Sequence, residues 1–518
     1  MPEMLASYVA GTWYTAADQG TIVNDAATGE PVARVSSTGL DTAALVDHAR
    51  TVGGPALRGL TFQARGAALK ALAAHLDASK AAYQELSLAT GATRRDGAGD
   101  IDGGIGTLFV YSSRAKRELP DGHVLVDGDV ESLGKEGTFA GRHVYTSLPG
   151  VVLQINAFNF PVWGMLEKLA PAILAGVPTI VKPAGQTAYL TALVVRDIIA
   201  SGALPEGALQ LVCGGVGDLL DRLGGEDMIA FTGSASTAAA LRGNAAVTAR
   251  AARFNAETDS LNCSILGPDA VAGTQEFDLF VKEVGREITT KAGQRCTCIR
   301  RALVPETAVD DVLSGLRGRL DRVVVGNPRN ETVTMGSLVS LRQRDEVRDA
   351  VSALTRAADV VYGDPTSVAP VDGDPQRGAF MAPVVLLCND VDRAEPHEVE
   401  AFGPVTTIIP YSDPRGVAQI AARGGGSLVG SVVSYDADFV RDVVLGAAPH
   451  HGRLLVLDRD CAGESSGHGS AIPQMVHGGP GRAGGGEELG GMRAVRHYMQ
   501  RTGLQGTPAV IAALTGDS

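Results

Sequence analysis

Residues 151–184 read VVLQINAFNFPVWGMLEKLAPAILAGVPTIVKPA, and this stretch decides the predicted fold. Two short apolar runs, at 151–155 and 177–181, predict buried strands. The segment between them, 162–174, predicts a helix that begins directly after Pro161. A strand, a helix and a second strand at this spacing are typical of a βαβ unit with parallel strands. The stretch therefore predicts an α/β protein built on a parallel sheet.

The same alternation continues along the chain. Residues 40–118 carry apolar residues at helical spacing, and residues 119–150 contain turn signals such as Asp127-Gly128-Asp129 before a strand at 143–146. The other predicted strands are 209–213, 228–231, 264–266, 302–304, 323–325, 384–387, 405–409 and 497–506, and the other predicted helices are 187–200, 275–289 and 341–357. A chain of 518 residues is long enough for about three lobes.

Composition excludes several classes of function. Hydrophobic residues make up 45% of the chain, which excludes disorder as the main state. The formal net charge is −13, so nucleic acid and anionic membranes are poor partners. The six cysteines are too sparse for a disulfide framework, and HExxH and CxxC patterns do not occur, so we expect no metal site. The first residues lack the features of a signal peptide, and we expect a cytoplasmic protein.

Two cysteines lie in the segment KAGQRCTCIR at 291–300. A buried, unreactive cysteine is one interpretation, because free cysteine often behaves as a small hydrophobic residue. A thiolate nucleophile is the other, since the neighbours Lys291, Arg295 and Arg300 could lower the pKa of Cys296.

Polar residues follow several of the predicted strands. Asn159 and Lys182 follow the two strands of the quoted stretch, and Thr232-Gly233-Ser234 ends a later strand and opens a helix. In open α/β sheets ligands bind beyond the carboxyl ends of the strands, and a helix N-terminus can bind phosphate. An amide at such an edge can donate to an oxyanion. Ordinary turn and cap chemistry is the alternative for each residue.

Two acidic segments complete the candidates. Glu257 lies in NAETDS at 255–260, where semi-apolar surroundings could shift the pKa of a carboxylate. Glu400 and Phe402 lie in EAFGP at 400–404, before a predicted strand. A solvated glutamate and a plain turn are the alternatives.

Five motifs, taken together and in order, resemble the aldehyde dehydrogenase superfamily over nearly all of the chain. They are NFP at 159–161, KPA at 182–184, FTGS at 231–234, GQRC at 293–296 and EAFGP at 400–404. The segments NAFNFP, ETDSLN and HGGPGRAGGGE are similar to one branch, which acts in bacterial ring-cleavage pathways. This branch includes the phenylacetate-degradation bifunctional protein and the 3,4-dehydroadipyl-CoA semialdehyde dehydrogenase of benzoyl-CoA oxidation.

The resemblance implies roles for three catalytic residues. Cys296 takes the position of the nucleophile, and Glu257 takes the position of the base that activates water for thioester hydrolysis. The side-chain amide of Asn159 and the backbone N–H of Cys296 would hold the oxyanion. Cys298 would be an auxiliary thiol.

The resemblance also implies a site for a nicotinamide dinucleotide. The implied cofactor-binding residues are Lys182, Gly185, Thr232, Gly233, Ser234, Glu400 and Phe402. In NAD-preferring relatives an acidic residue often lies three positions after the lysine, where this chain has Gly185. We therefore expect NADP, with NAD as the alternative.

The implied fold has three parts. A Rossmann-like cofactor lobe comprises 1–125 and 149–258, and an α/β catalytic lobe comprises 259–494. A small β arm at 126–148, with the tail at 495–518, joins subunits, so we expect a homo-oligomer, a dimer or higher.

The combined expectation is the NADP-dependent oxidation of a CoA-linked semialdehyde to the carboxylic acid, in phenylacetyl-CoA or benzoyl-CoA degradation. A CoA-acylating dehydrogenase is one alternative, although that reaction needs no base to activate water. A catalytically silent homologue is the other.

Overall fold

The computed structural model describes residues 2–515 and contains two large sheets with helices between their strands. The predicted α/β class is confirmed. The helices are Thr42–His48, Gly54–Arg58, Phe62–Ser87, Arg94–Glu118, Trp163–Ala175, Ala188–Ser201, Leu219–Arg222, Ala235–Arg242, Ala245–Ala249, Gln275–Thr289, Val309–Leu320, Leu341–Leu354, Glu395–Glu398, Val417–Ala422, Ala437–Ala447, Met492–His497 and Pro508–Thr515. No helix within residues 2–515 is both long and apolar enough to cross a membrane.

The first large sheet contains the βαβ unit of the quoted stretch. Its strands, in spatial order, are Arg253–Glu257, Met228–Thr232, Val152–Ile155, Thr179–Lys182, Leu209–Leu211, Ser7–Val9 and Thr12–Tyr14. The first five strands are parallel, and the last two pair antiparallel. The register pairs Ile155 with Lys182 and with Phe231, and Thr232 with Glu257, so these strands end side by side.

Long helices bury one face of this sheet. The helices Phe62–Ser87, Arg94–Glu118 and Trp163–Ala175 share one apolar core with the strands Val152–Ile155 and Thr179–Lys182. Threonine side chains cap the first two helices by accepting from backbone N–H groups, and Gly176 ends the third in a left-handed conformation.

The second large sheet is also mostly parallel. Its strands, in spatial order, are Asp359–Tyr362, Val384–Leu387, Val405–Tyr411, Arg301–Pro305, Cys263–Leu266, Ser427–Val433 and His451–Leu457. Its first pairing is antiparallel and the others are parallel.

Three small sheets complete the described part of the chain. The segments predicted for the arm contribute the antiparallel strands Met499–Gly506, Ala140–Ser147 and Leu125–Ser132. Residues 516–518 of that prediction lie outside the described residues. The other small sheets are Glu3–Met4, Pro31–Val35 and Thr21–Asn24, and Val476–Gly478 with Glu487–Leu489.

Two local predictions are wrong. The run 323–325 forms no strand, because Val325 makes only an isolated bridge to Met335 in a loop. The turn signal Asp127-Gly128-Asp129 lies inside the strand Leu125–Ser132, where the register shifts between Asp127 and Glu131. The glycine there serves a β-bulge rather than a chain reversal, with φ at +78°.

Candidate active site

Cys296 lies in the loop after the helix Gln275–Thr289. Lys291, Ala292 and Gly293 have left-handed backbone angles, with φ of 51°, 51° and 69°. A Cβ atom at Gly293 would lie 2.0 Å from the carbonyl oxygen of Gly403, so only glycine allows this approach. The glycine therefore lets the GQRC motif pack directly against the EAFGP motif.

The two cysteines of the loop have different surroundings. The side-chain amide of Asn262 donates to the carbonyl oxygens of Cys296, at 2.7 Å, and of Cys298, at 3.0 Å. The thiol of Cys298 is buried and donates to the carbonyl oxygen of Glu287 at 2.9 Å. The thiol of Cys296 belongs to a half-buried residue that lines two cavities. Of the two, Cys296 is therefore the accessible thiol.

The basic neighbours of Cys296 do not bring its pKa below the ordinary value. Burial and the carboxylate of Glu257 raise the pKa of Cys296 well above its ordinary value, against the opposing charge of Arg295. Lys291 Nζ lies 4.5 Å from the centre of a phenylalanine ring, and Arg300 donates to backbone carbonyl groups. Arg295 does lower the pKa of Cys296, but burial and Glu257 outweigh it, and Lys291 and Arg300 have other partners. The expected net lowering of this pKa is therefore wrong.

The three residues predicted to be catalytic meet at one small cavity. Cys296, Asn159 and Glu257 all line it, and Thr232 and Glu167 contribute to its wall. Asn159 and Glu257 are buried, and each follows or ends a parallel strand of the first sheet. The edge of the sheet therefore places the amide of Asn159 and the carboxylate of Glu257 at the cavity that contains the thiol of Cys296.

Four buried charged residues beside this cavity were not among the sequence candidates. They are Glu167, Lys168, His477 and Glu488. Lys168 Nζ lies 2.9 Å from Glu167 Oε1 and 4.0 Å from Glu488 Oε1. Two adjacent charges in an otherwise apolar helix were the available signal for Glu167 and Lys168, because a buried charge needs a partner.

His477 lies beside the thiol of Cys296. Its Nε2 is 3.8 Å from Cys296 Sγ and 3.1 Å from Glu257 Oε2. Burial raises the pKa of Glu257, but His477 and Lys168 outweigh it and lower this pKa to about 2. The carboxylate of Glu257 is therefore ionised beside the thiol.

Five of the seven residues predicted to bind the cofactor lie where parallel strands of the first sheet end. Lys182 is the last residue of its strand, and Thr232 is the last residue of another. Ser234 caps the helix Ala235–Arg242 by accepting from a backbone N–H group in its first turn. Gly233 lies between Thr232 and Ser234, and Gly185 begins the short 3₁₀ helix Gly185–Thr187.

Glu400 and Phe402 belong to the EAFGP motif at 400–404, which packs against the cysteine loop. Glu400 Oε2 accepts from the backbone N–H of Ser260 at 3.2 Å. Glu400 Oε1 is buried, lies 3.7 Å from Arg300 Nε and has no hydrogen-bond partner among residues 2–515. Burial raises the pKa of Glu400 to about 7, against the charge of Arg300. The ring of Phe402 meets the ring of Phe158 edge-on, with centroids 5.9 Å apart. A buried acceptor without a partner is compatible with a ribose hydroxyl group.

A wider cavity of about 950 Å³ also reaches Cys296. Its cationic lining residues are Arg94, Arg95, Lys282, Arg286, Lys291, Arg295 and Arg319, and its acidic ones are Asp96 and Glu331. This local excess of positive charge contrasts with the net charge of −13 for the whole chain. The approach to the thiol therefore favours an anionic ligand.

The chain belongs to the aldehyde dehydrogenase family, because the model of that family matches residues 13–502. It is an aldehyde-oxidising oxidoreductase that uses a nicotinamide cofactor. It is 46% identical over 478 residues to the 3,4-dehydroadipyl-CoA semialdehyde dehydrogenase of Aromatoleum evansii. The matched residues cover 92% of this chain and 93% of that protein. Protein MaoC of Klebsiella aerogenes is 46% identical over 182 residues, 35% of this chain and 52% of that protein.

Solved structures confirm the fold. Lactaldehyde dehydrogenase from Escherichia coli matches with a TM-score of 0.84 and 20% identity, over 98% of this chain and 99% of that one. Betaine aldehyde dehydrogenase from Staphylococcus aureus, solved in complex with NAD+, matches with a TM-score of 0.83 and 22% identity, over 97% and 94%. The predicted aldehyde dehydrogenase fold is confirmed.

Proposed function

We propose that this chain oxidises a CoA-linked semialdehyde to the carboxylic acid, with NADP as the preferred cofactor, in the degradation of aromatic compounds. One observation carries the proposal. Cys296 lines both the small cavity that holds Asn159 and Glu257 and the wide basic cavity. A substrate with an aldehyde at one end and anionic groups at the other would fit both.

The chain's own residues suit a thioester mechanism. The thiolate of Cys296 attacks the aldehyde carbon, and Asn159 with the backbone N–H of Cys296 stabilises the oxyanion, a contribution of about 3 kcal/mol per donor. A nicotinamide cofactor, which Lys182, Ser234 and Glu400 would hold, would supply the hydride acceptor for the same carbon. Glu257, which is ionised and lies at the thiol, then takes a proton from the water that hydrolyses the thioester.

The cofactor preference rests on charge at the end of one strand. Lys182 is half-buried and forms no ion pair among the described residues. A Cβ atom at Gly185 would approach only Val35 Cγ2, at 3.8 Å, so the position has room. A free cation and the absence of a carboxylate favour a 2′-phosphate.

The CoA portion of the substrate would bind in the wide cavity. Arg95, Lys282 and Arg319 line it, are exposed and form no ion pair within residues 2–515. Free cations of this kind attract the phosphate groups of CoA. The name of the Aromatoleum evansii relative agrees with this chemistry.

The assembly and the lobe boundaries are also proposals. The antiparallel sheet of Met499–Gly506, Ala140–Ser147 and Leu125–Ser132 has an exposed edge strand that could pair with another copy. We propose a homo-oligomer joined by this arm, in the cytoplasm, with cofactor and catalytic lobes at the boundaries predicted above.

A panel of aldehydes tests the proposal. We expect kcat/KM to be highest for CoA-linked semialdehydes with NADP, and lower for the same aldehydes without CoA. Arg319→Ala should lower kcat/KM only for the CoA-linked members. Lys70→Ala is the control, because Lys70 is exposed, lines neither cavity and forms no ion pair among residues 2–515. Equal rates with free and CoA-linked aldehydes would contradict the substrate class. Formation of acyl-CoA when free CoA is added would favour the acylating reaction.

A further inference from the structure

His477 is held beside the thiol of Cys296 by a small hairpin. It lies in the strand Val476–Gly478, opposite Glu488 in the strand Glu487–Leu489. A Cβ atom at Gly478 would lie 2.2 Å from the carbonyl oxygen of Gly486, so the glycine after His477 allows the hairpin to close. The imidazole meets the ring of Trp163 at a steep angle, with centroids 5.4 Å apart. The ring is therefore fixed in place.

Charged groups from three other elements face His477. They are Glu257 at the end of its strand, Glu167 in the helix Trp163–Ala175, and Arg453 in the strand His451–Leu457. Burial disfavours the protonated imidazole, but Glu257 and Glu167 outweigh burial and Arg453 and raise the pKa of His477 above its ordinary value. The surroundings therefore favour an imidazolium.

A thiolate at Cys296 needs such a cation. It would form next to the carboxylates of Glu257 and Glu167, and Arg295, a cation of the same loop, is engaged in an ion pair with Glu287. Like charges this close in a buried site strongly oppose ionisation. His477 Nε2 lies 3.8 Å from the sulfur and 3.1 Å from the carboxylate, so it can face both anions.

We propose that His477 stabilises the thiolate of Cys296 as an imidazolium whose Nε2 contacts both the sulfur and the carboxylate of Glu257. The inference rests on the proposed role of Cys296 as the nucleophile. It makes the site a thiolate–imidazolium pair with an attached carboxylate, a combination that activates cysteine nucleophiles.

The proton balance of this arrangement is simple. The S–H bond of Cys296 breaks, its electron pair stays on sulfur, and the proton leaves to water in the wide cavity. His477 keeps its own proton throughout. When the thioester is hydrolysed, the sulfur regains its electron pair beside the same imidazolium, and Glu257 takes a proton from the attacking water.

The pH dependence of thiol alkylation tests the proposal. The rate at which iodoacetamide modifies Cys296 is measured by tandem mass spectrometry, which separates this residue from Cys298 in the same peptide. His477→Gln retains a hydrogen-bond donor but no charge. We expect the inflection of the rate to move upward by about one to three pH units in this variant.

A matched control removes the other buried histidine that contacts a cysteine. His451 Nε2 lies 3.6 Å from Cys263 Sγ, away from the cavities that contain Cys296. His451→Gln should therefore leave the inflection of Cys296 at the wild-type position.

Equal inflections in the wild type and in His477→Gln would overturn the proposal. Alkylation needs no aldehyde, so a shifted inflection in an enzyme that is inactive with every aldehyde would contradict only the proposed function. His477→Asn offers a second variant with the same expectation. If neither variant folds, the wild type decides, because a neutral His477 at about pH 7 in a nitrogen-15 NMR spectrum would overturn the proposal.

Discussion

Two cysteine–histidine pairs in this chain have similar geometry and opposite electrostatics. The sulfur and Nε2 are 3.8 Å apart in Cys296–His477 and 3.6 Å apart in Cys263–His451. In the first pair, Nε2 also lies 3.1 Å from the carboxylate of Glu257. In the second pair, His451 Nδ1 lies 2.8 Å from a backbone carbonyl oxygen, and the nearby charged group is the cation Arg301 rather than a carboxylate.

The neighbouring charges decide what each pair can do. Burial and Arg301 lower the pKa of His451 to about 4, and burial raises the pKa of Cys263, so both are neutral near pH 7. At the other pair, carboxylates raise the pKa of His477 despite burial. The same two residue types therefore form a packing contact in one place and a charged site in the other.

The largest expected effect is on turnover, and it should distinguish Cys296 from Cys263. Cys296→Ala should reduce turnover by about 10⁴-fold or more, because a missing nucleophile leaves only binding and oxyanion stabilisation. Steady-state rates and binding of the nicotinamide cofactor are measured together, and binding should persist. Cys263→Ala is the matched control and should retain most activity. Turnover that survives in Cys296→Ala would contradict the mechanism.

Removal of the Glu257 carboxylate should make the Cys296–His477 pair resemble the Cys263–His451 pair. Glu257→Gln should slow steady-state turnover by about 10²–10⁴-fold, because thioester hydrolysis loses its base. A rapid-mixing experiment should show a burst of reduced cofactor followed by a stalled thioester. Glu276→Gln, which removes a buried carboxylate paired with Arg459, is the control for charge loss elsewhere. If both phases slow equally, Glu257 is not mainly the base for hydrolysis.

The two histidines should change stability with pH in opposite directions. The folded pKa of His451 is about 4, below its unfolded value of 6.5, so its contribution is complete above 6.5 and is lost as the pH falls toward 4. The free energy of unfolding of the wild type relative to His451→Gln should therefore decrease over this range, by up to about 3 kcal/mol.

The contribution of His477 to the free energy of unfolding should change with pH in the opposite direction. Its folded pKa is raised, so its contribution is complete below the unfolded value and is lost as the pH rises through the folded pKa. The wild type should lose stability relative to His477→Gln as the pH rises. A change in the same direction for both variants would contradict the assigned charges.

The smallest expected effect is on cofactor preference, and it concerns the single cation Lys182. Lys182 forms no ion pair with a carboxylate in the described part of the chain, and Gly185→Glu would add a carboxylate nearby. We expect kcat/KM for NADP to fall by about tenfold, or about 1.4 kcal/mol, with a smaller change for NAD. Gln505→Glu places the same charge on the arm and should alter neither value. A wild type that prefers NAD would contradict the cofactor proposal.

Local patterns in the sequence were sufficient for much of the fold and for part of the site. The parallel strands and the helix Gln275–Thr289 follow from periodicity, and the motifs indicate Cys296, Asn159 and Glu257. The run 323–325 has strand-like residues, but strand formation needs a partner that the sequence does not reveal.

The electrostatics of the site could not be predicted in the same way. His477 is 181 residues from Cys296 in sequence, and their contact depends on the packing of a hairpin against the cysteine loop. The basic neighbours in sequence predicted a lowered pKa for Cys296, but burial and the carboxylate of Glu257 outweigh the charge of Arg295. The pKa of a buried group depends on neighbours in space, which local patterns do not specify.

The charge states of the two histidines at about pH 7 test the central claim most directly. Histidine labelled with nitrogen-15 reports the protonation of each ring, and His477→Gln and His451→Gln assign the two signals. The account predicts that His477 is an imidazolium and His451 is neutral in the same spectrum. Two neutral rings would contradict it, because the carboxylate of Glu257 would then not distinguish the first pair from the second.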